Sequence, residues 1–399
     1  MTGKIGLRAA AAFGGIGFAS LLSALSLTRG PYLGRPDDTS VAVVWLTDAA
    51  SSSRVDYQLS GGEVLTFSDP TPVTRHVVRL TGLDSGADYL YSIYSDGVQL
   101  SSGSRFRAPR GAEEAAFRFA VIGDTAGVVV PSELARAVPA ENVDFVLHTG
   151  DVVYPRGAET DYEQQFFAPL APLLANLAVL PTLGNHDVMT ANGGPYLTNF
   201  VLPKNDVDGG SRFYAFRHGS ALFVSVDVES SQFGDDSVQY EWLARTLSQS
   251  DALWKIVFLH EPPYSSAQSN LAVRFVLTPL FESAGVDVVF AGHQHLYERT
   301  VPLRNFSDTG PTVVYITEGG GGASLFPFIP EPFSALVIDL FGYVVADVEG
   351  GVLSLTARGT DGAAFDSVTL RKTSPSPQRI RPSRISRPRR ATRIVLEPP

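Results

Sequence analysis

Five short motifs, each closing an apolar run, constrain this chain more than any other feature. "FRFAVIGD" ends on Gly123-Asp124, and "VDFVLHTGD" ends on Gly150-Asp151 with Tyr154 three residues on. "LAVLPTLGNHD" ends on Gly184-Asn185-His186-Asp187, "LWKIVFLHEPP" carries His260, and "VDVVFAGHQH" ends on His293 and His295. Short β-branched apolar runs of this kind read as buried strands, and helical stretches separate them. Asp236-Ser-Val-Gln239 has the spacing of a capping box before "YEWLARTL", and Asn270 is placed to cap "LAVRFVLTPLFESA", which Gly285 stops. Strands alternating with helices predict an α/β domain whose ligands bind at the carboxyl ends of the strands. A lone Gly-Asp is usually a turn. Five such strand ends in order, each bringing a carboxylate, an amide oxygen or an imidazole, point to a metal site. His293 and His295, two apart on an extended segment, face the same way and can share one centre or straddle two.

The donor types narrow the metal. The chain has no cysteine, which excludes a disulfide scaffold, a thiolate-bound zinc, an iron–sulfur cluster and a thiol nucleophile. Carboxylate, amide and imidazole donors suit Zn, Mn or Fe. Tyr154 is either an ordinary buried tyrosine after a turn or a ligand. A phenol with a pKa near 10 binds at neutral pH only to a strong Lewis acid such as Fe(III).

The rest of the chain falls into blocks. With 399 residues, two domains are expected. Residues 29–110 carry strand signals at "SVAVVWLT", "RVDYQLS", "RHVVRLTGL" and "DYLYSIYSDG", punctuated by Gly61-Gly62, Asp69-Pro70 and Asp96-Gly97. They predict a small antiparallel β-sandwich without a reactive cluster. The α/β domain is placed at 115–371, with a hairpin at Glu349-Gly350-Gly351. Residues 1–28 read as a signal peptide or N-terminal anchor: Lys4 and Arg8 precede uncharged residues 9–27, with small residues at Ala24-Leu25-Ser26. That predicts a secreted, periplasmic or envelope-associated protein. Residues 372–399 read as a basic disordered tail. From Arg371 onward the chain holds nine Lys/Arg and one Glu, leaving 22 cations against 40 carboxylates in the body. So acidic a body has no footprint for wrapping nucleic acid; the tail reads as a solvated appendage, with contact to anionic lipid, wall polymer or nucleic acid as the alternative.

Taken together, "GD", "GDVVY", "GNHD", "VFLH" and "GHQHLYER" resemble the calcineurin-like metallophosphoesterase superfamily. "GDVVY" with "GHQHLYER" is similar to its purple acid phosphatase-like branch, over residues 30–371. The resemblance implies a four-layer αββα metallophosphatase sandwich preceded by an all-β fibronectin-III-like domain. It implies two metal ions, Fe(III) plus a divalent ion (Fe, Zn or Mn). Asp124, Tyr154 and His295 would hold the first metal, Asn185, His260 and His293 the second, and Asp151 would bridge. His186 would face the substrate from outside, with Asp187 as its orienting partner. The implied activity is hydrolysis of phosphate monoesters by metal-hydroxide in-line attack. The chain departs from the pattern after His260: Glu261-Pro-Pro-Tyr264 and "SSAQSNLAV" bring no further histidine, so substrate orientation and an acid optimum are not implied.

A phosphodiesterase or nucleotidase on the same centre, and a cell-surface binding protein with a vestigial site, remain open alternatives. An alkaline phosphatase that binds iron through cysteine does not, for want of cysteine. The glycine run 319–322 lacks the Gly-Lys-Ser/Thr of a phosphate loop and reads as a tight turn beside the site. His148 reads as core or support, and His76 and His218 as structural.

Overall fold

The computed structural model describes residues 25–35, 37–306 and 312–372. Most of the export segment (residues 1–24) and the tail (373–399) lie outside the described residues.

The first domain is all-β. Strands β1 (Leu27–Gly34), β2 (Val41–Leu59), β3 (Leu65–Leu80), β4 (Asp88–Ser95) and β5 (Val98–Arg107) are antiparallel, in the order β1-β2-β4-β5 with β3 also on β2. Two expected strands are halves of one: β2 runs nineteen residues, with register shifts between Leu46 and Ser53. Its first half pairs β1 and the end of β3, and its second half pairs β4 and the start of β3. Bending at the shifts lets one sheet close over Val43, Trp45, Val55, Val78, Tyr91, Ile93 and Phe106. Asp69-Pro70, expected to end a strand, lies inside β3. That stretch is exposed and pairs only with β2, an edge where a missing N–H costs no ladder bond.

The second domain has two facing sheets. Strands β6 (Ala116–Ile122), β7 (Phe145–His148) and β8 (Ala178–Pro181) are the parallel half of the first. Strands β9 (Tyr214–His218), β10 (Ala221–Ser225), β11 (Trp254–Phe258), β12 (Val288–Ala291), β13 (Tyr297–Thr300), β14 (Val314–Glu318) and β15 (Ser334–Ile338) form the second, in the order β15-β13-β14-β12-β11-β10-β9. Strands β16 (Gly342–Glu349), β17 (Val352–Gly359) and β18 (Ala364–Arg371) return to complete the first, in the order β18-β17-β16-β6-β7-β8. The expected hairpin at 349–351 joins β16 to β17.

Between the sheets, Phe119 and Phe145 of the first meet Phe216, Phe223 and Phe290 of the second at ring separations of 5.1–6.2 Å. Each buried phenylalanine contributes on the order of 2–3 kcal/mol by leaving water. Helices Val129–Ala140 and Ala168–Leu174 cover the first sheet, and Val238–Gln249 and Leu271–Ala284 cover the second. The layers are αββα. Asn270 caps its helix by accepting from the Val273 N–H at 3.0 Å, and Gly285 ends it at φ 70°. At Val238–Gln249 the cap is Ser237 rather than Asp236, and Gln239 turns away to bond both the N–H and the carbonyl of Asp227.

Candidate metal centre

Each motif sits where a strand of the αββα domain ends, and the backbone there is unusual. Asp124, Asp151 and His293 have φ of 55°, 50° and 65°, the left-handed region that L-residues enter at a cost of about 1–2 kcal/mol each. Such conformations persist only where the surroundings over-determine them. Here Asp124 N–H donates to the Gly150 carbonyl at 3.1 Å, and Thr125 N–H donates to the Asp151 carbonyl at 3.1 Å. The Asp124 carboxylate accepts from the His293 N–H at 3.0 Å, and Asp151 Oδ1 accepts from the His186 N–H at 2.8 Å. Gly150 is required by space as well as by its φ of 94°: a Cβ there would sit 2.6 Å from His260 Nδ1.

The side chains converge in two triangles. Tyr154 Oη lies 3.1 Å from Asp124 Oδ1 and 3.1 Å from His295 Nε2, and His295 Nε2 lies 3.5 Å from Asp124 Oδ1. Asn185 Oδ1 lies 3.0 Å from both His260 Nε2 and His293 Nδ1, which are 3.3 Å apart. Asp151 lies between: its Oδ1 is 3.5 Å from His260 Nε2, and one donor atom each of Asp124, Asp151 and His260 falls within 4.8 Å of the others. Donors bound at right angles about 2.1 Å from one ion stand roughly 3.0 Å apart, which matches the triangle edges. Two of the imidazoles are held from behind through their other nitrogen: His260 Nδ1 faces the Thr149 carbonyl at 2.8 Å, and His295 Nδ1 the Ser324 carbonyl at 2.7 Å. Hydrogen bonds from behind fix ring orientation and tautomer at metal sites.

The charges ask for a cation. Asp124 and Asp151 are buried, and among the described residues no Lys or Arg side chain pairs with either. Burial disfavours an imidazolium at His260, but Asp151, with Asp124, outweighs it and holds its pKa well above the ordinary value. Asp151 is held down at about 2, burial opposing and the His260 charge prevailing. A proton on His260 thus balances part of the cluster, in the position where a metal would displace it. Burial, then Asp124 and Asp151, push the Tyr154 phenol far up, so it ionises only against a strong Lewis acid. Burial also pushes Glu229 and Glu318 up to about 8, so at neutral pH these neighbours add little negative charge.

His186 stands at the rim. Its Nδ1 faces the Pro155 carbonyl at 2.6 Å, its ring lies 4.4 Å from that of Tyr154, and its Nε2 is 3.9 Å from Asp151 Oδ2. Asp187 does not orient it. The fully buried Asp187 carboxylate instead accepts from the Gly184 N–H at 2.9 Å, the Val152 N–H at 3.2 Å and the Tyr162 hydroxyl at 2.9 Å. The chain turns between the two residues, and Pro155 supplies the orienting oxygen. His148 is support, as expected: its ring bonds Thr125 Oγ1 and the Gly150 N–H, and burial lowers its pKa to about 3. His76 stacks on Trp45, and His218 bonds Asp144 at 3.0 Å. The glycine run packs behind Asp124, with the Gly321 N–H on the Gly123 carbonyl and Thr125 bridged to Gly322. Gln165 was not singled out from the sequence. It accepts from the Tyr154 N–H at 3.3 Å and donates back to the Tyr154 carbonyl.

Residues 117–297 match the family model of calcineurin-like phosphoesterases. The mouse acid phosphatase type 7 is 28% identical over 397 residues, covering 84% of this chain and 88% of its own. Purple acid phosphatase 22 of Arabidopsis thaliana is 24% identical over 286 residues, 67% of this chain and 64% of that one. The structure of a purple acid phosphatase from yellow lupin seeds superposes with a TM-score of 0.74 at 21% identity, covering 86% of this chain and 74% of that one. Residues 117–297 are thus a calcineurin-like phosphoesterase domain, and over most of its length the chain is similar to acid phosphatases of the purple acid phosphatase-like branch.

Proposed function

We propose that the chain is an exported phosphatase that hydrolyses phosphate monoesters on a binuclear centre of Fe(III) and a divalent Fe, Zn or Mn ion. The observation that carries this reading is the pair of donor triangles, with the Asp151 carboxylate between them. Asp124, Tyr154 and His295 would hold the ferric ion, Asn185, His260 and His293 the divalent one, and Asp151 would serve both. Such a pair supplies Lewis-acid polarisation of the phosphoryl group and activation of water for in-line displacement.

The chain's own part is to hold these donors fixed and to manage one proton. With Nδ1–H given to the Pro155 carbonyl, the His186 imidazole keeps Nε2 free towards the centre. Protonated there, it hands a proton to the departing alkoxide as a general acid. Export rests on Lys4 and Arg8 before the uncharged run 9–27, and N-terminal sequencing of protein from the host's envelope or medium checks it.

The test is elemental analysis with a visible spectrum. Protein purified without chelator should hold two metals per chain and absorb in the visible through a phenolate-to-iron transition, and Tyr154→Phe should abolish the band. Ferric protein without colour would show that Tyr154 is not a ligand.

A further inference from the structure

The helical run from Glu159 to Leu174 joins the accessory domain to the metal centre. Its middle, Tyr162–Phe167, is π-helical, a rare distortion that is frequent at functional sites. One side of it faces β1. The almost fully buried Arg29 bonds Glu163 Oε2 at 2.5 Å, Glu159 Oε1 at 2.9 Å and Asn199 Oδ1 at 2.7 Å, and its guanidinium lies 4.2 Å above the Phe167 ring. Tyr32, also on β1, donates to the Asn199 carbonyl at 2.8 Å. The other side faces the site. Gln165 grips both backbone polar groups of Tyr154, and Tyr162 donates to Asp187, which holds the Val152 and Gly184 amides. Within six residues, one segment is therefore clamped by the β domain and itself holds two of the loops that carry candidate ligands.

We propose that Gln165 and Arg29 are positioning residues for Tyr154: Gln165 fixes the loop that presents the phenol, and Arg29 lets the β domain hold Gln165 in place. The proposal rests on the reading of Tyr154 as a metal ligand for its catalytic consequence, but not for its structural content. A single Arg is suited to this, since its planar fork reaches three acceptors at once, and a lysine at 29 offers one compact charge instead. Gln165 is equally specific: its carboxamide holds a donor and an acceptor side by side and so meets the Tyr154 carbonyl and N–H together, which a carboxylate cannot do.

The experiment uses the full chain. Gln165→Ala, Gln165→Glu, Arg29→Lys and Arg107→Ala are compared with wild type. The last removes an ion pair to Asp144 at the domain junction that does not touch the 159–174 run, and so reports general loosening. Amide exchange at Tyr154 is measured in chelated protein, so that this readout needs no metal. Loss of the Gln165 acceptor should speed it about tenfold, the scale of one hydrogen bond, with a smaller increase in Arg29→Lys and none in Arg107→Ala. In metal-loaded protein, Gln165→Ala should keep both metals, shift or weaken the visible band and lower kcat roughly ten- to hundredfold at near-constant KM, the scale for a misplaced group. Gln165→Glu, which keeps the acceptor, should fall between. Unchanged exchange at Tyr154 in Gln165→Ala overturns the proposal. So does an equal effect in Arg107→Ala, which would mean general destabilisation. A wild type with protected Tyr154 amide but no visible band sinks the ferric reading and leaves the positioning role standing.

Discussion

Replacing Asp187 separates two roles that its place next to His186 in the chain confuses. Its carboxylate is fully buried and accepts from two amide N–H groups and one hydroxyl. Asp187→Ala removes three hydrogen bonds and strands the Gly184 and Val152 amides away from water. Hydrogen bonds of this kind are worth about 1–1.5 kcal/mol each, so the loss of three is about 4 kcal/mol. Asp187→Asn keeps one acceptor but turns an NH₂ towards those donors, for about half that loss. For a domain of this size about 4 kcal/mol lowers the thermal midpoint by roughly 10 °C. The assay is thermal unfolding of chelated protein, followed by kcat on reloaded protein at a temperature well below the midpoint. We expect a large drop in midpoint with Asp187→Ala, a smaller one with Asp187→Asn, and kcat reduced only as far as bound metal is reduced. An unchanged midpoint with a thousandfold fall in kcat at full metal occupancy would refute this account and return Asp187 to the chemistry.

Three further outcomes are expected. Asp151→Asn should lower the occupancy of both metals in elemental analysis, since its carboxylate stands between the two triangles; loss of one metal alone would contradict a bridging place. His186→Ala should leave metal content intact and lower kcat by roughly 10²–10⁴, the range for a lost general acid, whereas loss of metal would make His186 a ligand. Deleting residues 373–399, outside the described residues, should leave kcat on soluble substrate unchanged. Co-sedimentation with anionic vesicles should then be salt-sensitive in the full-length chain alone, at about 1 kcal/mol per cation near such a surface.

What was legible beforehand follows the range of the interactions. Asp124, Asp151 and His260 each end an apolar strand, so local pattern alone sets their place; parallel pairing brings Asp124 beside Asp151 in one sheet and His260 beside His293 in the other, and the facing of the two sheets joins the pairs. The caps at Asn270 and Gly285 are local in the same way. The merging of "SVAVVWLT" and "RVDYQLS" into β2 was hidden, because the register shifts that carry the strand through the bend are set by its partners. Pro70 was misleading because a proline ends a strand only where its missing N–H is needed. Arg29 and Gln165 were invisible for a plainer reason: Arg29 and Glu163 stand 134 positions apart, and nothing local marks an arginine in a strand or a glutamine in a helix as special.

The returning strands β16–β18 bear on what can be cut from this chain. The family match stops at residue 297, yet β6 lies between β7 and β16, and β12 lies between β11 and β14. A fragment trimmed to 117–297 would bare the backbone of β6 along Phe117–Val121, and of β12 along Val288–Ala291, two apolar edges without a charge to guard them except Arg118. Unpaired edges of this sort recruit strands from other molecules. Such a fragment would keep the seven candidate metal donors in its sequence and still come out of expression as aggregate. The unit of inheritance that a family match outlines and the unit that folds are, in this protein, different lengths of chain.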